Sequence, residues 1–253
     1  MVARAFLDKG YNTNYAAGWH LVRSAPKFSQ TGGVMQSMGT AGNEGMKGTS
    51  TTQGPLKLRI LETGPVVSSN VALLGDAAPG DITEGILSLS IKYDSTDAFA
   101  NGSTDAKTFL EQGELLSEAF NDGPAFWDAG SSSINLVTHP ADLSIQAQCE
   151  TAGSCPAPTD STSTYLQDTR DWYAVHGGGK NGSCNILMAD ASVKEFTDGN
   201  NDKFLNPGFP VDPSLTPADY AGIGYRDSTV ELAPGQIFNG VFLINLQKNA
   251  DFE

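Results

Sequence analysis

Positive charge is scarce in this 253-residue chain: 15 Lys and Arg stand against 29 Asp and Glu, a net charge of −14. A polyanionic partner is excluded by that balance, because little basic surface exists to release counterions from nucleic acid or to meet an anionic membrane face. Long hydrophobic runs are lacking as well. No stretch of 18 apolar residues occurs and no signal-like segment opens the chain, so the composition is that of a water-soluble protein. Only three cysteines and three histidines are present, and no His-x-x-x-His pair or Gly-x-Ser-x-Gly elbow occurs. Close-spaced zinc ligands and the serine-hydrolase elbow are thereby excluded. Acidic residues are plentiful, so a carboxylate pair for glycoside hydrolysis stays open, with nothing in the sequence to select the pair.

Present instead are 28 Gly, 13 Pro and 22 aromatic residues, with charged residues at 17%. Disordered chains carry more charge and fewer aromatics, so a folded, loop-rich protein of strand-dominated α+β class is expected, as one globular domain over residues 1–253. Cys149 and Cys155 enclose a loop short enough for a local disulfide, leaving Cys184 free or available to a second subunit. With many Ser, Thr, Asn and Gly and few Lys, this favours an extracellular or periplasmic location over a reducing one.

Hydrophobic patterning places the elements. Residues 15–23 read as a strand or buried segment, and residues 29–55 as a long surface loop. Leu56–Leu61 alternates apolar and charged residues, as a half-buried strand does. Val71–Leu74 and Ile86–Ile91 also read as strands. Ser103 or Thr104 would cap a helix over Asp105–Phe120, with Phe109, Leu110, Leu115, Leu116 and Phe120 on one face. A hairpin is expected at Cys184–Ala189 and Ala191–Phe196, turning at Asp190, and late strands at Thr229–Leu232 and Ile237–Leu246. Residues 156–164 read as a linker.

Two constellations invite chemistry. His176-Gly177-Gly178-Gly179 could turn backbone amides toward an anion, but Lys180 is followed by Asn181 rather than the Ser or Thr of a phosphate loop. A turn with a hydrogen-bonded His176 is the simpler expectation. Asp198, Asn200 and Asp202 occupy positions 1, 3 and 5 of an oxygen-rich loop that runs on to Asn206. That rhythm suits calcium, but the EF-hand glycine and glutamate are replaced by Lys203 and Phe209. Calcium coordination by Asp198, Asn200, Asp202 and Asn206 and an Asx-rich turn satisfied by its own backbone both remain open. Trp19, Trp127 and Trp172 are scattered, without interleaved basic residues, and read as packing residues.

Thr13-Asn14-Tyr15-Ala16, Leu73-Leu74-Gly75-Asp76, the His176-Gly-Gly-Gly run and Asn185-Ile-Leu-Met-Ala-Asp190-Ala-Ser-Val193 together resemble the large prepilin-like family of planctomycete-type bacteria. Members carry a histidine, nine residues, then Asp-Gly. Here thirteen residues separate His176 from Asp190, and Ala191 replaces the glycine. The resemblance implies a pilin-like head, an antiparallel sheet with one or more helices and outward loops, without the family's apolar N-terminal membrane helix. It implies a non-enzymatic structural subunit of a pilus, pseudopilus or secretion apparatus, self-associating or joining related pilin subunits. Membrane contact would come only through that helix, and the calcium loop of related pseudopilins would map onto the 198–206 segment. An extracellular carbohydrate-binding or adhesive module, with a groove at Trp127 or Trp172, and a hydrolase using paired carboxylates are the alternatives.

Overall fold

The computed structural model describes residues 14–31, 34–37, 46, 51–80, 86–93, 107–137, 165–177 and 181–244. The expected disulfide of Cys149 with Cys155, the 156–164 linker and His139 lie outside them. The architecture is α+β and loop-rich. Its centre is a four-stranded antiparallel sheet in the order β1-β4-β10-β11, built from Tyr15–Ala17, Ala72–Asp76, Ser183–Met188 and Val193–Thr197. Two hairpins, β2–β3 (Phe28–Thr31, Val34–Ser37) and β5–β6 (Ile91–Tyr93, Lys107–Leu110), stand apart. A second sheet pairs β7 (Gly123–Asp128) with β8 (Ser133–Leu136) and with β9 (Leu166–Asp168).

Strand alternation decides which face of the central sheet is buried. Cys184, Ile186 and Met188 of β10 are fully buried, and they join Ala16, Ala72, Phe196 and Trp172 in one apolar cluster. Leu205, Leu232 and Ile237 close that cluster from the C-terminal loops. Gly75 is required there: a Cβ on it would lie 2.7 Å from Trp172 Cδ1, so only hydrogen lets the indole lie on the sheet. The Trp172 indole N–H donates to the Ala16 carbonyl at 3.0 Å and ties the ring to the edge strand. The opposite face carries a row formed by register, Ala17 to Leu74 to Leu187 to Val193. Paired residues project to the same side. Tyr15 lies on that side too; it is 55% exposed and Val193 62% exposed.

Helices are short. α1 (Trp19–Arg23) follows β1 directly and buries Trp19 and His20, so residues 15–23 are half strand and half helix. α2 (Leu58–Thr63) replaces the strand expected at Leu56–Leu61. Leu58 is 70% exposed, so no buried face rewards a strand there, and the alternation was too short to decide the period. α3 (Pro217–Tyr220) is capped by a reciprocal pair, in which Thr216 Oγ1 accepts from the Asp219 amide and Asp219 accepts from the Thr216 amide.

Other expectations are corrected. The helix expected over Asp105–Phe120 does not form in its described part, 107–120, and its cap at Ser103 or Thr104 lies outside the described residues. Lys107–Leu110 is β6, Gly113 turns the chain at φ +91°, and Leu115, Ser117 and Phe120 make bridges to Ile86, Pro79 and Ala17. Long-range ladder bonds such as Leu87 N–H to Glu114 O (3.0 Å) outcompete an isolated helix with glycine at its centre. Residues 29–55 are not one loop, because β2–β3 lies within them and Pro26 bridges Thr52. Ile86–Ile91 contributes only a bridge at Ile86 and the start of β5, with bends at Ser88 and Leu89. No strand forms over Thr229–Leu232 or over the described part of Ile237–Leu246. There the Glu231 and Leu232 amides both donate to Asn206 O, and apolar side chains are buried without a ladder.

Candidate functional site

A cavity of about 330 Å³ opens where the two sheets meet the C-terminal loops, and Glu118, Asp122, Asp168, Arg170, Asp171 and Phe204 are on its wall. Its chemistry comes from the segment after β9. Asp168 ends that strand with only 3% of its side chain exposed. Arg170 folds back over it as a fork, donating from Nε to Oδ1 at 2.9 Å and from Nη2 to Oδ2 at 2.6 Å. Its Nη1 donates to Ile223 O at 3.1 Å, which fixes the loop after α3 against the pair. Burial works against the guanidinium charge, but Asp168 overrides it and holds Arg170 above its ordinary range.

Asp171, half-buried beside that pair, is the perturbed acid. Burial first, then the charges of Asp168, Asp122 and Glu118, push its carboxyl up to about 8 against the opposing pull of Arg170. A carboxylic acid that keeps its proton at neutral pH therefore sits next to the Asp168–Arg170 ion pair. Such an acid can donate a proton to a group held in the cavity. These residues carry no sequence motif. The available signal was the run Asp168-Thr-Arg-Asp171 between buried Leu166 and Trp172, a knot of charge in a sparsely charged chain.

The oxygen-rich loop follows β11. Asp198 is fully buried, its two oxygens accepting from the Asn201 amide at 2.6 Å and the Lys203 amide at 3.0 Å. Asn200 Oδ1 accepts from the Asp202 amide, and Asp202 accepts from Phe204 and Arg226 amides at 2.8 Å each. Asn206 Oδ1 accepts from Gly208 and Phe209 amides. All four residues thus act as acceptors for backbone N–H groups, the Asx-turn arrangement. Lys203 and Asn201 adopt φ +78° and +64°, so Lys203 takes the left-handed conformation that glycine takes at the sixth place of an EF-hand.

Glu231 is the member that sequence reading missed. Its Oε2 accepts from the Asn206 amide at 2.9 Å, whereas Oε1 is buried beside the Gly199 amide without a well-aligned hydrogen bond. Burial, with Asp202 and Asp198 nearby, pushes its carboxyl up to about 7. Among the described residues, no three His, Cys, Asp or Glu side chains are placed to hold a metal ion together.

His176 is hydrogen-bonded, as the simpler expectation had it: Nε2 lies 3.1 Å from Asp76 Oδ2, which also accepts from the Asn185 amide at 2.7 Å. Cys184 is free and fully buried, its thiol pushed up to about 12 chiefly by burial, so its sulfur does not face a second subunit. Trp19, Trp127 and Trp172 are all buried, as packing residues should be. No helix among the described residues is long and apolar enough to cross a membrane. In comparisons with known proteins, no family model matches the chain, and neither a curated protein nor a solved structure does.

Proposed function

We propose that the chain is a non-enzymatic structural subunit of an extracellular or periplasmic filament or secretion apparatus, a pilin-like head that associates with copies of itself. The observation that carries this reading is the apolar row on the outer face of the central sheet, Ala17 to Leu74 to Leu187 to the exposed Val193, with the exposed Tyr15 on the same side. Away from that sheet, Leu58 on α2 and Val67 are also exposed apolar residues, at 70% and 61%. Two different exposed apolar regions on one chain suit a heterologous contact, in which the sheet face of one copy receives the α2 region of the next, and such contacts extend as open filaments where the rotation between copies does not close. The buried tryptophans favour this over a carbohydrate-binding groove. Sedimentation at raised salt, which screens the −14 charge, should show concentration-dependent association. Val193→Lys and Leu58→Glu should each abolish it without loss of fold; a strictly monomeric wild type would end the reading.

Calcium belongs to the same proposal, at Asp198, Asn200, Asp202 and Asn206. The under-bonded Glu231 Oε1 supports it, since a cation there would relieve the repulsion among Glu231, Asp202 and Asp198. The Asx turns weigh on the other side. Millimolar calcium in place of chelator should raise the melting temperature by mass action, and Asp202→Ala should remove the rise. Equal melting temperatures would leave the loop as a purely backbone-satisfied turn.

A second reading rests on the acid pocket, where the carboxyl of Asp171 is pushed up to about 8 among other carboxylates, as a general acid in hydrolysis needs. Glycoside turnover lost in Asp171→Asn, with the fold retained, would favour a hydrolase over a subunit.

A further inference from the structure

The C-terminal residues 236–243 cross α1 without secondary structure and cover Trp19 and His20. Bonds to this strap include Phe238 N–H to Asn70 O at 2.7 Å, Lys194 Nζ to Gln236 O at 2.6 Å, Asn239 Nδ2 to Leu232 O at 2.7 Å, Gln167 N–H to Asn239 O at 2.9 Å, and two contacts at Gly240 O. One of the latter comes from the Gln167 side-chain amide at 2.9 Å and the other from His20 Nε2 at 3.1 Å. The other ring nitrogen, Nδ1, faces a second carbonyl, Ser24 O, at 3.4 Å. A neutral imidazole has one N–H for these two acceptors, so one nitrogen always presents a lone pair to a carbonyl. A second N–H would satisfy both acceptors but would place a cation in a buried site. The ring is 4% exposed and lies between Trp19 and Phe238 at 5.2 and 5.5 Å.

Among the described residues, no counter-charge is placed to accept that cation. The strap contributes Ile237, Phe238, Asn239 and Gly240, none of which titrates. The small cavity beside the ring is bordered by Ala72, Asn121, Gln167 and Thr169 with the tryptophans, again without an acid. On α1 itself the charged group is Arg23, which stacks on Phe120. Asp168, the acid next to Gln167 on β9, is committed to Arg170. Gln167 Oε1 adds a buried acceptor with no partner at the same junction, which leaves the strap contact short of full satisfaction.

We propose that His20 is an acid-sensitive latch: proton uptake by its ring detaches the 236–243 strap from α1 and opens the Trp19 cluster. The direction follows from linkage. Burial lowers the ring to about 4 against the raising effect of the two carbonyls, whereas a ring freed into water returns to 6.5. The open state therefore binds the proton more tightly between those values. The latch is fully closed above 6.5 and loses its hold as pH falls from 6.5 toward 4. Between pH 7.5 and 5.0 the open fraction should rise roughly 25-fold if the freed ring regains its ordinary affinity.

Amide hydrogen exchange, referred to the intrinsic rate at each pH, measures that fraction. Protection at Phe238 and at Gln167 should drop roughly 25-fold from pH 7.5 to 5.0, while Ile186 and Phe196 in the central sheet hold theirs. His20→Gln, which can still donate to Gly240 O, should remove the drop. Unchanged strap protection would overturn the latch, as would an equal loss across the central sheet, or a drop that survives in His20→Gln. Should that variant not fold, titration of the His20 ring signal in the wild-type chain decides. A midpoint matching the loss of strap protection upholds the latch, and ring titration without that loss rejects it.

Discussion

At the scale of single residues, Asp171 shows how position rather than type sets chemistry. Its neighbour Asp168 is more deeply buried and has both oxygens bonded by the Arg170 fork, while Asp171 receives the repulsion of three carboxylates. Because its folded affinity for a proton is raised, Asp171 contributes stability below about pH 4 that is lost as pH rises toward 8. Asp171→Asn removes the charge and keeps the shape. The variant should be more stable than wild type at pH 8.5 by about 1–3 kcal/mol, less than full linkage because water reaches the pocket. At pH 4 the two should be equal. Urea titration at both pH values reads the difference, and a variant destabilised at pH 8.5 would mean that the ionised group is held by a partner.

At the scale of elements, the β10–β11 hairpin was legible because two alternating runs flank a turn-forming Asp190, and local and long-range preferences agree there. The register pairs Leu187 with Val193, and Asp190 Oδ1 accepts from both the amide and hydroxyl of Ser192. Ala191 is the one local conflict. It sits at φ +68°, the left-handed position where glycine costs nothing, and the sequence already marked it by placing alanine where the resembled motif has glycine. Ala191→Gly should stabilise the protein by about 0.5–1 kcal/mol, chiefly by slowing unfolding of the hairpin; a loss of stability would mean that its methyl packs. The elements that were misread share a cause. The apolar residues of 105–120 repeat at spacings that fit a helix, but Gly113 and the bridges at Leu115, Ser117 and Phe120 are set by segments far away in sequence. The C-terminal loops bury Leu232, Ile237 and Val241, while the amides of Leu232, Ile237 and Phe238 bond to Asn206, Ala233 and Asn70, a solution with no period to read. The oxygen-rich loop was visible as composition; the acid pocket was not, since Glu118, Asp122, Asp168 and Asp171 converge only after folding.

At the scale of the whole molecule, three shifted groups and the net charge combine into one pH profile. Asp171 and Glu231 hold protons more tightly when folded, to about 8 and about 7, so each adds stability as pH falls from those values toward 4. His20 has the opposite sign and removes stability between 6.5 and about 4. Two acids gaining against one histidine losing leaves a net of one proton taken up on folding over the middle of that range. Its limiting slope is about 1.4 kcal/mol per pH unit, reduced by solvent at the pocket. Acidification toward the pI of about 4.4 also relieves the self-repulsion of a chain carrying −14. Further acid reverses the trend, because Asp190, Asp212 and Asp219, whose carboxyls are lowered by hydrogen bonds from Ser192, Ser214 and Thr216, must then be protonated. The melting temperature should therefore peak near pH 5 rather than in the neutral range, and fall steadily from pH 5 to pH 8.5. Asp171→Asn and Glu231→Gln together should flatten that descent, leaving the His20 loss visible on the acid side. A maximum at pH 7–8 in the wild-type chain would show that the pocket and loop carboxylates are compensated by charge the described residues do not supply.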